Sequence, residues 1–589
     1  MKKRRTSFLS LLLAVLLLSG CTGERAPTMQ ANGFKSSSGQ SIASRGGLAM
    51  LPFDQMEYTR PDLEDLRQAV SAVESALEGG DSLRTVMRRL DDCYTWYFTF
   101  QTMHSLADIR SCQDVTDKFY AVEFAWCDES YSAVQQLMEE LLYLCGGSEL
   151  AQKLEEQYFW QGFAKEYADA SNAALNDQVV SLMRRESALL AEYRSLAASP
   201  TLEVGDREVD YYSHVSELEG SEQLDAMDRY YEKYNEDYAR IYIDMVKVRQ
   251  ELAATLGFDS YEQMQYAYFF ERDYSPDDAA AYIRDIKTYM IPFYKEVMAR
   301  NPYDRIAYPY LSESRLHEVV GAAASRIGGD VKKAFEFMTA YDLYDIRLSE
   351  KKAPMSYQTY LSDYEAPFVC LSPYGDAEDI LSFSHEFGHY VDAFVNYDAY
   401  ETIDVAECFS QGMEVLMLSY YSQGLSREEI DNLCRMKMLD SLETYIQQAS
   451  FAEFETVVYS ADPELLSADF LNDLSLRLAI DYGYYDGESE TYYAMSWSDI
   501  SHFFEQPFYV ITYPVANDAA MQLYELERQE EGLGVKKYLQ MRPRTHEGLI
   551  DTLTEAGLES PFAPGRIQQV VEDLRPRLLD QGVPTKKSK

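Results

Sequence analysis

From Pro61 onward, apolar residues recur three and four positions apart, in stretches such as Leu63 to Leu77 and Ala133 to Leu144. That spacing gathers apolar side chains on one face of an α-helix, so the pattern predicts a mainly α protein whose helices continue to the C-terminus. Pro200 and Gly205 interrupt the pattern, as residues that break helices do. They mark residues 56–200 as an N-terminal helical lobe and residues 201–580 as a second domain, and a break inside one continuous helical body fits the same residues. A different pattern surrounds residue 368. Ala366-Pro367-Phe368-Val369-Cys370-Leu371-Ser372 is a short apolar run closed by Pro373 and Gly375, which reads as a strand. No internal repeat at solenoid spacing is found.

The first residues have another character. Lys2, Lys3, Arg4 and Arg5 precede an apolar run from Phe8 to Leu18 that is too short for an ordinary membrane span and is organised as a secretory signal. The run ends in Leu18-Ser19-Gly20-Cys21, which resembles the lipobox of bacterial lipoproteins. Residues 1–21 are therefore read as a lipoprotein signal peptide, with a lipid on Cys21 as membrane anchor and an extracytoplasmic location for the rest. Residues 22–55, with Ser36-Ser37-Ser38-Gly39 and Arg45-Gly46-Gly47, have the composition of a flexible tether. Residues 581–589 form a short basic tail carrying Lys586, Lys587 and Lys589.

Charge narrows the partners. Asp and Glu number 98 against 53 Lys and Arg, a net charge of −45 spread along the chain. Nucleic acid is excluded as a partner, because phosphate binding needs a basic surface that releases counterions. Beyond Cys21 the cysteines are Cys93, Cys112, Cys127, Cys145, Cys370, Cys408 and Cys434, an odd number that cannot all pair within the chain. None forms a CxxC pair, which argues against a cysteine zinc site.

The chemistry concentrates in His385-Glu386-Phe387-Gly388-His389. Acidic residues from Asp376 to Asp379 mark a helix start, and Ile380, Phe383, Phe387, Val391 and Phe394 then define one buried stripe. On such a helix His385 and His389 project from one face toward a single ion, and Glu386 stands beside it as a base for an activated water. The following segment, from Asp404 to Glu414, offers Glu407, Gln411 and Glu414 on one helical face. Helix geometry leaves the third metal ligand open between Glu407 and Glu414.

The arrangement resembles the oligoendopeptidase F and thimet oligopeptidase family, whose third ligand is a Glu followed by Ser three residues on and a second Glu seven on. Glu407, Ser410 and Glu414 match that pattern, so the resemblance assigns Glu407 to zinc and Glu414 to support. Val246-Lys247-Val248-Arg249 through Leu256-Gly257-Phe258-Asp259-Ser260-Tyr261, the block from Phe368 to His389, and Ala556-Gly557-Leu558-Glu559-Ser560-Pro561 are similar to segments of the family in the same order. His502-Phe503-Phe504 and the run Phe508-Tyr509-Val510-Ile511-Thr512-Tyr513 resemble its substrate-binding segment, which implies His502, Tyr509 and Tyr513 as catalytic groups.

The chain departs from the family in carrying Asp392 where another His is common, and that Asp could orient a ligand imidazole. The stretch from His389 to Glu407 is also shorter than usual, and Ile511 replaces a frequent Tyr. The resemblance implies a zincin-type helical oligopeptidase with a small β element beside the active-site helix and a deep substrate channel. Residues 201–580 would be the catalytic domain, holding one Zn2+ per chain and hydrolysing oligopeptides. The strand at Phe368 to Leu371 could then pair with an extended substrate. Release of dipeptides or residues from a C-terminus, or peptide binding without cleavage, are the alternatives. Oligomeric state does not follow from the sequence.

Overall fold

The computed structural model describes residues 49–160, 162–168, 177–198, 200–218, 220–396, 402–422, 424–487, 489–542 and 548–579. The signal segment with Cys21, the tether as far as residue 48 and the basic tail lie outside the described residues.

The helical periodicity near residue 63 becomes α1 (Leu63–Glu78), followed by α2 (Leu83–Gln113) and α3 (Lys118–Gly146). Asp62, Ser82 and Asp117 cap these helices, each accepting a backbone N–H from the first turn. Together they bury Leu66, Val73, Leu90, Tyr94, Val134 and Leu141 in one apolar cluster. The far half of α2 turns away from it, and Met103, Leu106 and Ile109 join the large core that continues through the rest of the chain. Along its length α2 also meets the sheet beside the site: Ser105 donates to the Tyr360 carbonyl at 3.1 Å, and Thr102 accepts the Asp363 N–H at 2.7 Å.

Two boundaries differ from the expectation. Phe53–Gln55, read as the end of a flexible tether, forms a short 3-10 turn whose Phe53 is buried with its ring 4.4 Å from that of Phe368. An aromatic side chain within reach of an apolar strand gains more by burial than loose chain would. The interruption at Pro200 and Gly205 is a hairpin, β1 (Thr201–Val204) and β2 (Arg207–Asp210), with Gly205 at φ 64° in its turn. The helix before it, α4 (Asp177–Ala198), packs on α5 (Ser221–Thr255) instead of on the N-terminal lobe, and its Val179, Leu182 and Tyr193 belong to the large core.

A three-stranded sheet backs the site. Its order is β3 (Tyr344–Asp345), β5 (Ala366–Cys370), β4 (Tyr357–Leu361), with β5 parallel to β3 and antiparallel to β4. The predicted strand exists, but it is central and buried throughout, paired with β4 along its length and with β3 at Val369 and Cys370. At those two residues it has no edge left for a substrate backbone, and β4 is an edge of the sheet instead. The metal-motif helix α6 (Asp379–Val395) lies against β5 and β4, and α7 (Ile403–Met417) packs on α6. Behind these stand α8 (Arg427–Ser460) and α9 (Thr512–Gln529), the latter packed along α7. All seven described cysteines are free thiols. Among the described residues no helix is long and apolar enough to cross a membrane.

Candidate metal centre

Ile380, Phe383, Phe387 and Val391 are almost wholly buried and fix the rotation of α6 about its axis. His385 and His389 then leave one face, with ring centroids 5.0 Å apart. Asp379 ties the loop after β5 to the helix, accepting the backbone N–H groups of Tyr374, Gly375 and Asp376 at 2.8, 2.8 and 3.1 Å.

The approach of α7 depends on Gly388. A Cβ there would stand 2.5 Å from the Phe409 carbonyl oxygen and 2.6 Å from Ser410 Cα, so only glycine lets the two helices come this close. The contact delivers Glu407 to the histidines. Its Oε2 lies 3.8 Å from His385 Nε2 and its Oε1 4.0 Å from His389 Nε2. Donor atoms from all three residues fall within 4.8 Å of one another. Glu414, two turns along α7, sits on the other side of one ring, with Oε1 2.8 Å from His385 Nδ1. Of the two carboxylates that helix geometry left open, Glu407 faces both Nε2 atoms, and Glu414 faces Nδ1 of His385 alone.

Each carboxylate has its own surroundings. Glu407 is fully buried, with Ser410 Oγ donating to Oε2 at 3.0 Å and Tyr509 Oη donating to Oε1 at 2.8 Å. Burial opposes a charge on Glu414, but Lys437 Nζ at 2.8 Å and the His385 ring outweigh it and hold that carboxyl below its usual range. Lys437 is buried as well and also pairs with Asp440 at 2.7 Å. Sequence reasoning missed it; its one signal is a charge within the otherwise apolar stretch Met436-Lys437-Met438-Leu439. Glu386 is only 3% exposed, and its Oε2 has no hydrogen-bond partner among the described residues. Burial, reinforced by Glu407 and Glu414 and opposed by His385, pushes its carboxyl up to about 8.

The three residues that the resemblance implies as catalytic groups stand together as one wall. His502, from the short helix Ser501–Glu505, Tyr509 and Tyr513 are buried together, with Tyr513 Oη 3.3 Å from His502 Nε2. Gln411 on α7 donates to the Tyr513 carbonyl at 3.2 Å, which ties this wall to the Glu407 helix. Burial lowers the His502 pKa to about 4, so its imidazole is neutral near pH 7. A cavity of about 130 Å³ reaches His385, Glu386, Gln411 and Tyr513, with Leu381 and Met436 among its apolar walls. Asp392 is buried near the end of α6 and accepts a hydrogen bond from Asn396 Nδ2 at 2.8 Å.

Two imidazole nitrogens and a carboxylate oxygen converging from two buried helices form a donor set that fits zinc. The unsatisfied Glu386 oxygen beside them is a polar atom that the fold leaves for a ligand. Residues 343–541, which run from β3 past the Tyr513 helix, match the sequence pattern "Peptidase family M3", and residues 53–170 match "Peptidase M3 N-terminal domain".

The chain belongs to peptidase family M3. Family M3 is a family of metallopeptidases, which sets the class of the enzyme. A curated relative, the chromosomal oligoendopeptidase F of Lactococcus lactis subsp. cremoris, is 28% identical over 172 residues, or 27% of this chain. That match spans only 28% of the relative's length. Among solved structures, PZ peptidase A with inhibitor 2 superposes with a TM-score of 0.76 at 21% identity, covering 89% of this M3 chain and 99% of its own. A Bacillus anthracis protein provisionally named oligoendopeptidase F superposes at 0.70 with 23% identity, covering 90% and 98%. At these identities the likeness establishes the helical M3 fold.

Proposed function

We propose that this M3 chain is a zinc-dependent endopeptidase that hydrolyses oligopeptides outside the cytoplasm, held to a membrane by a lipid on Cys21. The observation that carries the reading is the convergence of His385, His389 and Glu407 beside a Glu386 oxygen that has no hydrogen-bond partner among the described residues. A divalent ion bound by those three residues would polarise the scissile carbonyl and acidify a water. Glu386 takes the proton of the attacking water and returns it to the leaving amine. Glu414 accepts the Nδ1 proton of His385 and so leaves Nε2 as the coordinating atom.

Tyr513 lines the cavity with Glu386, and we assign its phenol to donate to the oxyanion that develops on the substrate. Tyr509 has its hydroxyl directed at Glu407, so we assign it to holding that ligand. Glu386 is buried beside the cavity, a depth that favours short flexible peptides over folded chains.

Digestion of mixed short peptides with mass detection tests the reading. Wild-type protein should cleave internal bonds, stop with a chelator and recover with zinc. Glu386→Gln should keep its zinc and lose about 10²–10⁴-fold in rate. Equal cleavage by both proteins would overturn the mechanism, and products shortened only from the C-terminus would overturn the endopeptidase assignment. Cys21→Ser should move the protein from the membrane fraction to the soluble fraction.

A further inference from the structure

Phe508 is a bulky residue in the left-handed backbone region, at φ 66°, where glycine is at ease and an aromatic residue is not. It immediately precedes Tyr509, the residue whose hydroxyl meets Glu407 at 2.8 Å. Both backbone groups of Phe508 are held by buried polar side chains. Its N–H donates to Glu455 Oε1 at 2.7 Å, and its carbonyl accepts from Arg272 Nη2 at 2.9 Å. Glu455 comes from α8 and is wholly buried, so the two grips reach the turn from separate parts of the chain.

Arg272 is also tied to the metal side of the site. Its Nε lies 3.2 Å from Asp404 Oδ2, with both side chains completely buried. Asp404 stands in the first turn of α7, three residues before Glu407, and its Oδ1 accepts from Thr512 Oγ1 at 2.6 Å and Tyr274 Oη at 3.1 Å. Arg272 Nη2 reaches Thr512 Oγ1 too, at 2.9 Å. One guanidinium therefore fixes the start of the Glu407 helix relative to the turn that carries Tyr509. The rings of Tyr266 and Phe270, each with its centroid 4.5 Å from the guanidinium carbon, cover it.

We infer that Glu455 and Arg272 are positioning residues, which clamp Phe508 in the left-handed conformation so that Tyr509 is presented to Glu407 and holds that ligand carboxylate in place. The inference rests on Glu407 being a metal ligand. The backbone strain at Phe508 is balanced by the two hydrogen-bonded grips, as strained residues near functional sites require. The clamp acts through Tyr509 and touches neither metal nor substrate.

The test separates the clamp from general stability. Glu455→Met leaves the Phe508 N–H without its acceptor and should weaken zinc binding about tenfold, read by competition with a chelator, whereas Glu455→Gln keeps an acceptor oxygen and should restore it. Phe508→Gly and Phe508→Ala remove the same ring but differ in left-handed preference, so the glycine variant should bind zinc about fivefold more tightly than the alanine variant. That gap should widen when Glu455→Met is added to each. Tyr509→Phe should reproduce the loss seen in Glu455→Met, with kcat falling and KM little changed.

Unchanged zinc affinity in Glu455→Met, or equal affinities for the glycine and alanine variants, would overturn the inference. Full zinc retention in Glu407→Ala would overturn the ligand assignment instead; the glycine and alanine variants then still report on the clamp through their melting temperatures, where equality refutes it.

Discussion

Glu414 Oε1 lies 2.8 Å from His385 Nδ1, on the opposite side of the ring from the nitrogen that faces Glu407. The contact holds the plane of the His385 ring, and it draws on a carboxylate that Lys437 keeps charged. Glu414→Gln should therefore still bind zinc, but about 10–100-fold more weakly, as other losses of an outer partner do. Titration of the metal-free protein measures this. A loss as complete as that in Glu407→Ala would make Glu414 a ligand.

Gly388 sets the distance between α6 and α7. Its replacement by alanine would drive a methyl group into the Phe409 carbonyl and Ser410 Cα, both backbone atoms with no rotamer to yield. Gly388→Ala should cost about 1–3 kcal/mol in urea unfolding and weaken zinc binding as Glu407 is displaced. Unaltered stability together with unaltered zinc affinity would show that the helices can part without consequence.

Asp345 on β3 gives a pH dependence. Burial by itself would raise its carboxyl; hydrogen bonds from Arg347 and the charge of Lys352, 3.0 Å away and equally buried, hold it below the ordinary 3.8 instead. A carboxyl with a lowered folded pKa contributes stability above its unfolded pKa and loses that contribution as pH falls through the folded value. Asp345→Asn should cost about 3 kcal/mol at pH 7, because Lys352 is left buried without its counter-charge. The difference from wild type should shrink below about pH 4, where the unfolded carboxyl takes up its proton. Urea midpoints measured from pH 7 to pH 3 check both the sign and the window.

His502 should stay neutral through the physiological range, since burial lowers its pKa to about 4. Histidine ring-nitrogen spectra of the labelled protein should show no His502 titration between pH 5 and 8. An inflection in that range would mean that the ring meets water or an acidic group.

The spacing of His385, Glu386 and His389 places two imidazoles and a carboxylate on adjoining faces of one helix because an α-helix repeats every ~3.6 residues. That is local physics, which is why the metal motif and the strand at Phe368 could be read directly from residues 366–391, and the predominance of helix from the apolar spacing along the chain. The resemblance added Glu407 and the wall of His502, Tyr509 and Tyr513, which come to the site on separate segments. The sequence was least informative wherever a residue acts on a distant partner. Lys437 supports Glu414 from α8, and Arg272 spans from its own segment to Asp404 and Phe508. Pairing also decided that β5 is central, because an apolar run reads the same whether one edge or both are occupied.

The sequence by itself determined which groups are candidates for the chemistry, since their identities and helical spacing are local properties. Only the tertiary structure decided which carboxylate faces both Nε2 atoms and which supports one ring. That choice depends on how closely α7 approaches α6 at Gly388, a packing distance that helix periodicity does not encode.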